Sequence, residues 1–142
     1  MSTKPSLSIT RRLNASSAKV YDAWTKPEVL MRWFGPDDTK VVRAETDVRV
    51  GGRFNIVFRG DDGEIHDVSG IYREVVPGRR LVFTWTWIST PERESMVTVA
   101  LAPDGDGTVL ILSHEAFINE TVRDNHQSGW SQGLDKLEAL FA

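Results

Sequence analysis

Residues 21–36 read YDAWTKPEVLMRWFGP. Four large aromatics, Tyr21, Trp24, Trp33 and Phe34, fall within two short helical patterns split by Thr25-Lys26-Pro27. Ser16 or Ser17 can cap the first helix, which runs to about Trp24 and buries Val20, Ala23 and Trp24 at i, i+3, i+4 spacing. Thr25 followed three residues later by Glu28 fits a capping box for the second. That helix carries Val29, Leu30, Trp33 and Phe34, and Gly35-Pro36 stops it.

On the N-terminal side, Leu7-Ser8-Ile9-Thr10 alternates as a strand does. On the C-terminal side lies a run of strands. Val41 to Val50 is the first, and Gly51-Gly52 turns it into Phe54 to Phe58. Gly60-Asp61-Asp62-Gly63 leads to Ile65–Val76, and Pro77-Gly78 leads to Leu81–Trp87. Met96–Leu101 and Thr108–Glu115 flank the hairpin turn at Pro103 to Gly107. From about Thr121 to Phe141, the residues Val122, His126, Trp130, Leu134, Leu137 and Phe141 form one helical stripe. The order is β-α-α-β6-α, an α+β domain. Its antiparallel sheet curves because such sheets twist, and its apolar concave face needs the long helix as a cover.

A chain of 142 residues is expected to be one domain, 1–142. With 17 basic and 20 acidic residues the formal charge is -3, which offers no footprint for nucleic acid. There is no cysteine, so disulfides, thiolate chemistry and cysteine metal sites are excluded. The first residues, MSTKPSLSITRRL, hold no run apolar enough for a signal peptide, and no segment approaches the ~20 apolar residues of a membrane span. The reading is a cytoplasmic protein with no membrane association.

The chain resembles the family named after homologues of the activator of the heat-shock-protein-90 ATPase, within the START-like, or polyketide-cyclase and lipid-transport, helix-grip superfamily. The motifs that carry this are VYDAWTKPEVLMRWFGP, VGGRF, GIYREVVPGRRLVFTW, GDGTVLILSHEAF and HQSGWSQGLDKLEALF, which run in this order from about Val20 to Phe141. The resemblance implies a helix-grip fold: a curved sheet wrapped around the C-terminal helix, with a cavity between them. It does not imply one activity, since the superfamily hosts lipid carriers, cyclases and hydroxylase substrate domains, so function has to be argued from the site.

If the apolar side of each strand faces that helix, alternation names the wall. Phe54, Ile56 and Phe58 come from one strand, Phe83, Trp85 and Trp87 from another, and Val97 and Val99 from the next. Leu110, Leu112 and His114 come from the last, while Trp33 and Trp130 close the ends. Such a wall suits a flat hydrophobic or aromatic ligand. The plainer reading of any one of these aromatics is that it fills a solid core.

His114 shares the parity of Leu112 and points inward, either to orient a ligand or act as acid or base, or, the favoured reading, to hydrogen-bond backbone or the C-terminal helix. Glu115 has the opposite parity, so the two are no dyad. His126, one turn before Trp130, either approaches His114 across the interface or caps the pocket rim. His66, beside Glu64 and Asp67, reads as a surface residue. Three scattered histidines make no metal site. There is no GxSxG serine elbow, and Gly51-Gly52 opens no phosphate-binding helix. Arg43, Arg49 and Arg53 could line one side of the sheet and catch an anion, but solvated strand charges are the favoured reading. Gly129 and Gly133 each cost about 1 kcal/mol mid-helix relative to alanine, which close packing or a bend near the pocket would explain.

The leading function is therefore binding of a small hydrophobic or aromatic ligand, with no cofactor, no metal and no assigned catalytic residue. A cavity enzyme of cyclase, dehydrase or hydrolase type is the alternative, and a chaperone ATPase co-regulator the second. The eukaryotic activators carry this domain behind an additional N-terminal one, for which this chain has no room, so the chaperone role is disfavoured. An uncovered edge strand could pair in a homodimer.

Overall fold

A computed structural model describes residues 4–142. Its elements follow the expected order: β1 (Leu7–Leu13), α1 (Ser17–Thr25), α2 (Pro27–Trp33), β2 (Thr39–Thr46), β3 (Arg53–Gly60), β4 (Ile65–Val76), β5 (Arg80–Trp87), β6 (Ser95–Asp104), β7 (Gly107–Glu115) and α3 (Glu120–Leu140). All seven strands form one antiparallel sheet in the order β1-β7-β6-β5-β4-β3-β2. The chain therefore starts at one edge, crosses to the other through α1 and α2, and walks back strand by strand. The sheet curls into a half-barrel, and α3 lies in its grip, as the α+β helix-grip expectation requires.

Two irregularities help the sheet curl. Register shifts fall between Val41 and Arg43 on β2 and between Tyr72 and Glu74 on β4, and bulges of this kind bend and twist a strand. Between them Gly70 lets two backbones meet, because a Cβ there would collide with the Thr84 carbonyl oxygen and lie 2.6 Å from Phe54 Cε1. The core runs the length of the concave face. Phe54, Ile56, Phe58, Leu81, Phe83, Trp85, Val97, Val99, Leu110 and Leu112 are buried from the sheet, and Trp130, Leu134 and Leu137 from α3.

The helix junction differs from the capping-box expectation. Lys26 both ends α1 and begins α2, with no side-chain cap, and Pro27 occupies the first turn. Thr25 is buried, and its hydroxyl donates to the Tyr21 carbonyl one turn back at 2.9 Å, so it satisfies the end of α1 rather than the start of α2. The strand expected over Val41–Val50 ends at Thr46. Asp47 to Gly52 instead form a local turn in which Gly52 N donates to Arg49 O at 2.8 Å and Gly51 takes φ +85°. At the other end α3 is capped by Asn119, whose side chain accepts from Val122 N at 2.9 Å.

Substituting Gly70→Ala is expected to destabilise the protein by roughly 2 kcal/mol or more, since a rigid carbonyl has to move to admit one methyl group. Urea unfolding checks this, and an unchanged midpoint would show that the strand crossing is not as tight as described.

Candidate functional site

The interior of the grip is nearly solid. Trp33 is buried with its Nε1 donating to Ala23 O at 2.8 Å, edge-on to Trp24 with ring centroids 4.8 Å apart. It lines none of the described pockets and does not close one end of a cavity, as its spacing had suggested. Val97, Val99, Leu110 and Leu112 are likewise packed away from any opening. Phe54, Ile56 and Phe83, with Trp24 and Tyr72, surround an interior space of only about 20 Å³, room for about one water.

The open space lies at one mouth of the grip, where α3 stands off the sheet. A groove of about 230 Å³ is walled by Phe58 of β3, His66 of β4 and Trp85 and Trp87 of β5 on the sheet side, by Asn125, His126, Gly129, Trp130 and Gly133 of α3, and by Phe34-Gly35-Pro36 after α2. A wider opening of about 350 Å³ shares His66, Trp85, Trp87 and His126 with it and extends past Ile65, Ile88, Phe117 and Ile118. Ile65, Ile88 and Ile118 are exposed, and Glu64, Asp67 and Arg93 line the same opening, so its rim mixes apolar and charged side chains.

The α3 wall is held by specific contacts. Asp37 N donates to Gln132 Oε1 at 3.0 Å, and Lys136 Nζ donates to Pro36 O at 3.0 Å. Arg11 on β1 reaches Asp135 at 2.7 Å and Glu138 at 3.3 Å. Both helix glycines face the loop after α2. A Cβ at Gly129 would meet Pro36 Cγ at 3.6 Å, and one at Gly133 would meet Gly35 O at 3.4 Å. Either added Cβ would make an ordinary van der Waals contact, so close packing does not require glycine at 129 or 133, and Gly129 leaves the groove open beside Pro36.

Two indole-to-imidazole hydrogen bonds cross the helix–sheet seam. Trp130 Nε1 on α3 donates to His114 Nδ1 on β7 at 3.0 Å, and Trp87 Nε1 on β5 donates to His126 Nε2 on α3 at 2.9 Å. An indole nitrogen can only donate, so each accepting ring nitrogen must be bare and the proton must sit on the other. His114 then carries its proton on Nε2, which donates to Ser95 Oγ at 2.7 Å, and His126 carries its own on Nδ1, which donates to Val122 O at 2.8 Å. These tautomers follow from the hydrogen-bond partners. The two imidazoles pack edge to face, with centroids 5.2 Å apart, so His126 both approaches His114 and lines the rim.

This arrangement limits the chemistry. Because His114 donates to Ser95, it has no lone pair aimed at that hydroxyl and cannot serve as its base in this tautomer. Desolvation, then the neighbouring His126, holds the His114 pKa well below the usual histidine value. Burial also lowers that of His126, against the opposing pull of the Val122 carbonyl. Among the described residues, no group of three or more histidine or acidic side chains converges as a metal site would need.

Several residues fall outside the sequence reading. His66 is half-buried, not a free surface residue: its ring stacks on Phe58 with centroids 5.1 Å apart and forms part of the groove wall. Its placement depends on pairing with Phe58 across β3 and β4, which the local turn sequence does not reveal. Ser95 shares the parity of Val97 and Val99, so carrying the alternation two residues back would have placed it beside His114. Phe117 has no periodic signal. It packs on His114, with centroids 4.2 Å apart, because Ala116 takes φ +72° and turns the chain inward. On the outer face of the sheet, Arg43 and Arg53 border a charged depression of about 550 Å³; Arg43 pairs with Glu45 at 2.9 Å, and in the turn after β2 Arg49 pairs with Asp47 at 2.9 Å.

The profile of the family described as "Activator of Hsp90 ATPase homolog 1-like protein" matches residues 14–142. Comparison with curated proteins found no match. Among solved structures, protein CV1439 from Chromobacterium violaceum is 30% identical, with 96% of each chain covered and a TM-score of 0.87. The AHSA1 protein from Silicibacter pomeroyi is 26% identical over 95% of this chain and 96% of its own, with a TM-score of 0.83. CalU16 from Micromonospora echinospora is 29% identical over 98% of this chain and 77% of its own, with a TM-score of 0.74.

The neutral histidines make stability depend on pH. Their folded pKa values lie below the unfolded value of about 6.5. The unfolded chain therefore binds more protons as pH falls, and stability is full above about 6.5 and declines below it. Each histidine contributes a slope of up to about 1.4 kcal/mol per pH unit. Urea titrations between pH 7.5 and 5.5 are expected to show this loss, and His114→Gln to reduce the slope. A flat profile in the unsubstituted protein would contradict the neutral assignment.

Proposed function

The chain belongs to the activator of Hsp90 ATPase homolog 1-like family, and from that premise we propose that it binds a small hydrophobic or aromatic molecule in the groove between α3 and the mouth of the sheet. The observation that carries this reading is the composition of the groove. Four aromatic side chains (Phe34, Phe58, Trp85 and Trp87), two imidazoles and Trp130 surround about 230 Å³. No Lys, Arg, Asp or Glu lines it. An apolar, aromatic concavity with a few fixed polar atoms is the usual form of a small-molecule site. The fold itself commonly serves ligand binding, which supports the reading at the level of class.

The seam chemistry favours binding over catalysis. Both ring nitrogens of His114 and both of His126 are engaged within the protein, so neither offers a free base to a bound molecule in this state. The imidazoles shape and stiffen the wall. Of the wall, end and rim residues read from the sequence, the proposed contact set keeps Phe58, Trp85, Trp87, His126 and Trp130, and adds Phe34, Pro36 and His66.

Protein purified without detergent is expected to carry an extra mass in native mass spectrometry that vanishes on denaturation. Gly129→Leu projects a side chain into the groove and should abolish that mass while leaving the fold intact. Retention of the same mass in Gly129→Leu would place the ligand elsewhere and overturn the proposal.

A further inference from the structure

Trp24 Nε1 and Trp85 Nε1 are buried and lack any hydrogen-bond partner. The other tryptophans all use theirs: Trp33 on Ala23 O, Trp87 on His126 and Trp130 on His114. A buried donor left without an acceptor is costly, and native cores leave few of them. Both unpartnered indoles border the same interior space of about 20 Å³, large enough for a single oxygen atom or water. Phe34 and Trp85 line that space and the open groove alike, and their ring centroids are 6.0 Å apart. Both rings therefore border the two volumes.

We infer that the interior space is an oxygen-acceptor subsite at the inner end of the groove, and that the ligand is a flat, uncharged aromatic molecule whose carbonyl oxygen passes between Phe34 and Trp85 to accept from the Trp24 and Trp85 indoles. The inference rests on the groove-binding reading above. Three features select this class. The Thr46 hydroxyl at this space already donates to Thr25 O, and the unpaired groups are the two indole N–H donors, so the group they want is an acceptor. Neither the groove nor the inner space is lined by Lys, Arg, Asp or Glu, so a charged group would be buried without a counter-ion. The inner space has the size of one atom or small group, while the groove has room for rings.

Two probes of the same shape test this: 2-acetylnaphthalene, and 2-isopropenylnaphthalene, in which a CH2 replaces the carbonyl oxygen. Titration calorimetry on the full chain is expected to show the ketone binding roughly tenfold or more tightly than the hydrocarbon. In proton–nitrogen spectra of the indole groups, the Trp24 and Trp85 signals should shift with the ketone and not with the hydrocarbon. Trp24→Phe and Trp85→Phe keep a ring and remove the N–H, and each should shrink the ketone preference. Equal affinity for the two probes overturns the inference while leaving the groove as a binding site. A preference that survives undiminished in both variants also overturns it. Binding of neither probe overturns the inference and the groove reading together. The comparison in the unsubstituted protein stands even where a variant fails to fold.

Discussion

The seam between α3 and the sheet depends on two indole protons meeting two bare imidazole nitrogens, Trp130 on His114 and Trp87 on His126. Each bond joins the helix to a different strand, β7 in one case and β5 in the other, so the pair fixes both the height of α3 and its rotation about its own axis. The geometry works only with neutral rings. A second proton on either imidazole would set N–H against N–H and place a charge in a wall made of Trp85, Phe117 and Trp130. The same constraint removes His114 as a base toward Ser95, so the feature that makes the seam rigid also leaves it without an obvious catalytic group.

Rigidity on one side makes the opening on the other meaningful. Toward its C-terminal end α3 buries Leu134 and Leu137 completely. Across its middle, Gly129 and Gly133 face Gly35 and Pro36 without bulk of their own, and the helix there forms one wall of the groove. Phe34 and Trp85 border both that groove and a small inner space lined by the two tryptophans whose indole donors are unpaired.

Much of this was legible beforehand. The element order, the inward faces of β3, β5, β6 and β7, and the α3 stripe all follow from periodicity, because burial on one face imposes a period of 2 on strands and 3.6 on helices. The inward direction of His114 and the outward direction of Glu115 came from the same rule. Errors arose where local chemistry competes with tertiary demand. Thr25 looked like a cap for α2, yet Pro27 already supplies a first residue with no N–H to satisfy, and the Thr25 hydroxyl serves the end of α1 instead. Trp33 looked like a lid, yet its indole finds a carbonyl at Ala23 and draws it fully into the core.

Sequence alone determined which side chains face the interior, since that depends on spacing along one strand or helix at a time. It could not decide which of those interior residues border empty space. Phe54 and Trp87 obey the same alternation, but one packs into a nearly filled interior and the other lines a groove. That difference depends on how far α3 stands from the sheet at each level. The stand-off is set by contacts between residues distant in the chain: Gly133 on Gly35, Trp130 on His114 and Trp87 on His126. No local pattern encodes such distances, so only the tertiary structure could separate core from site.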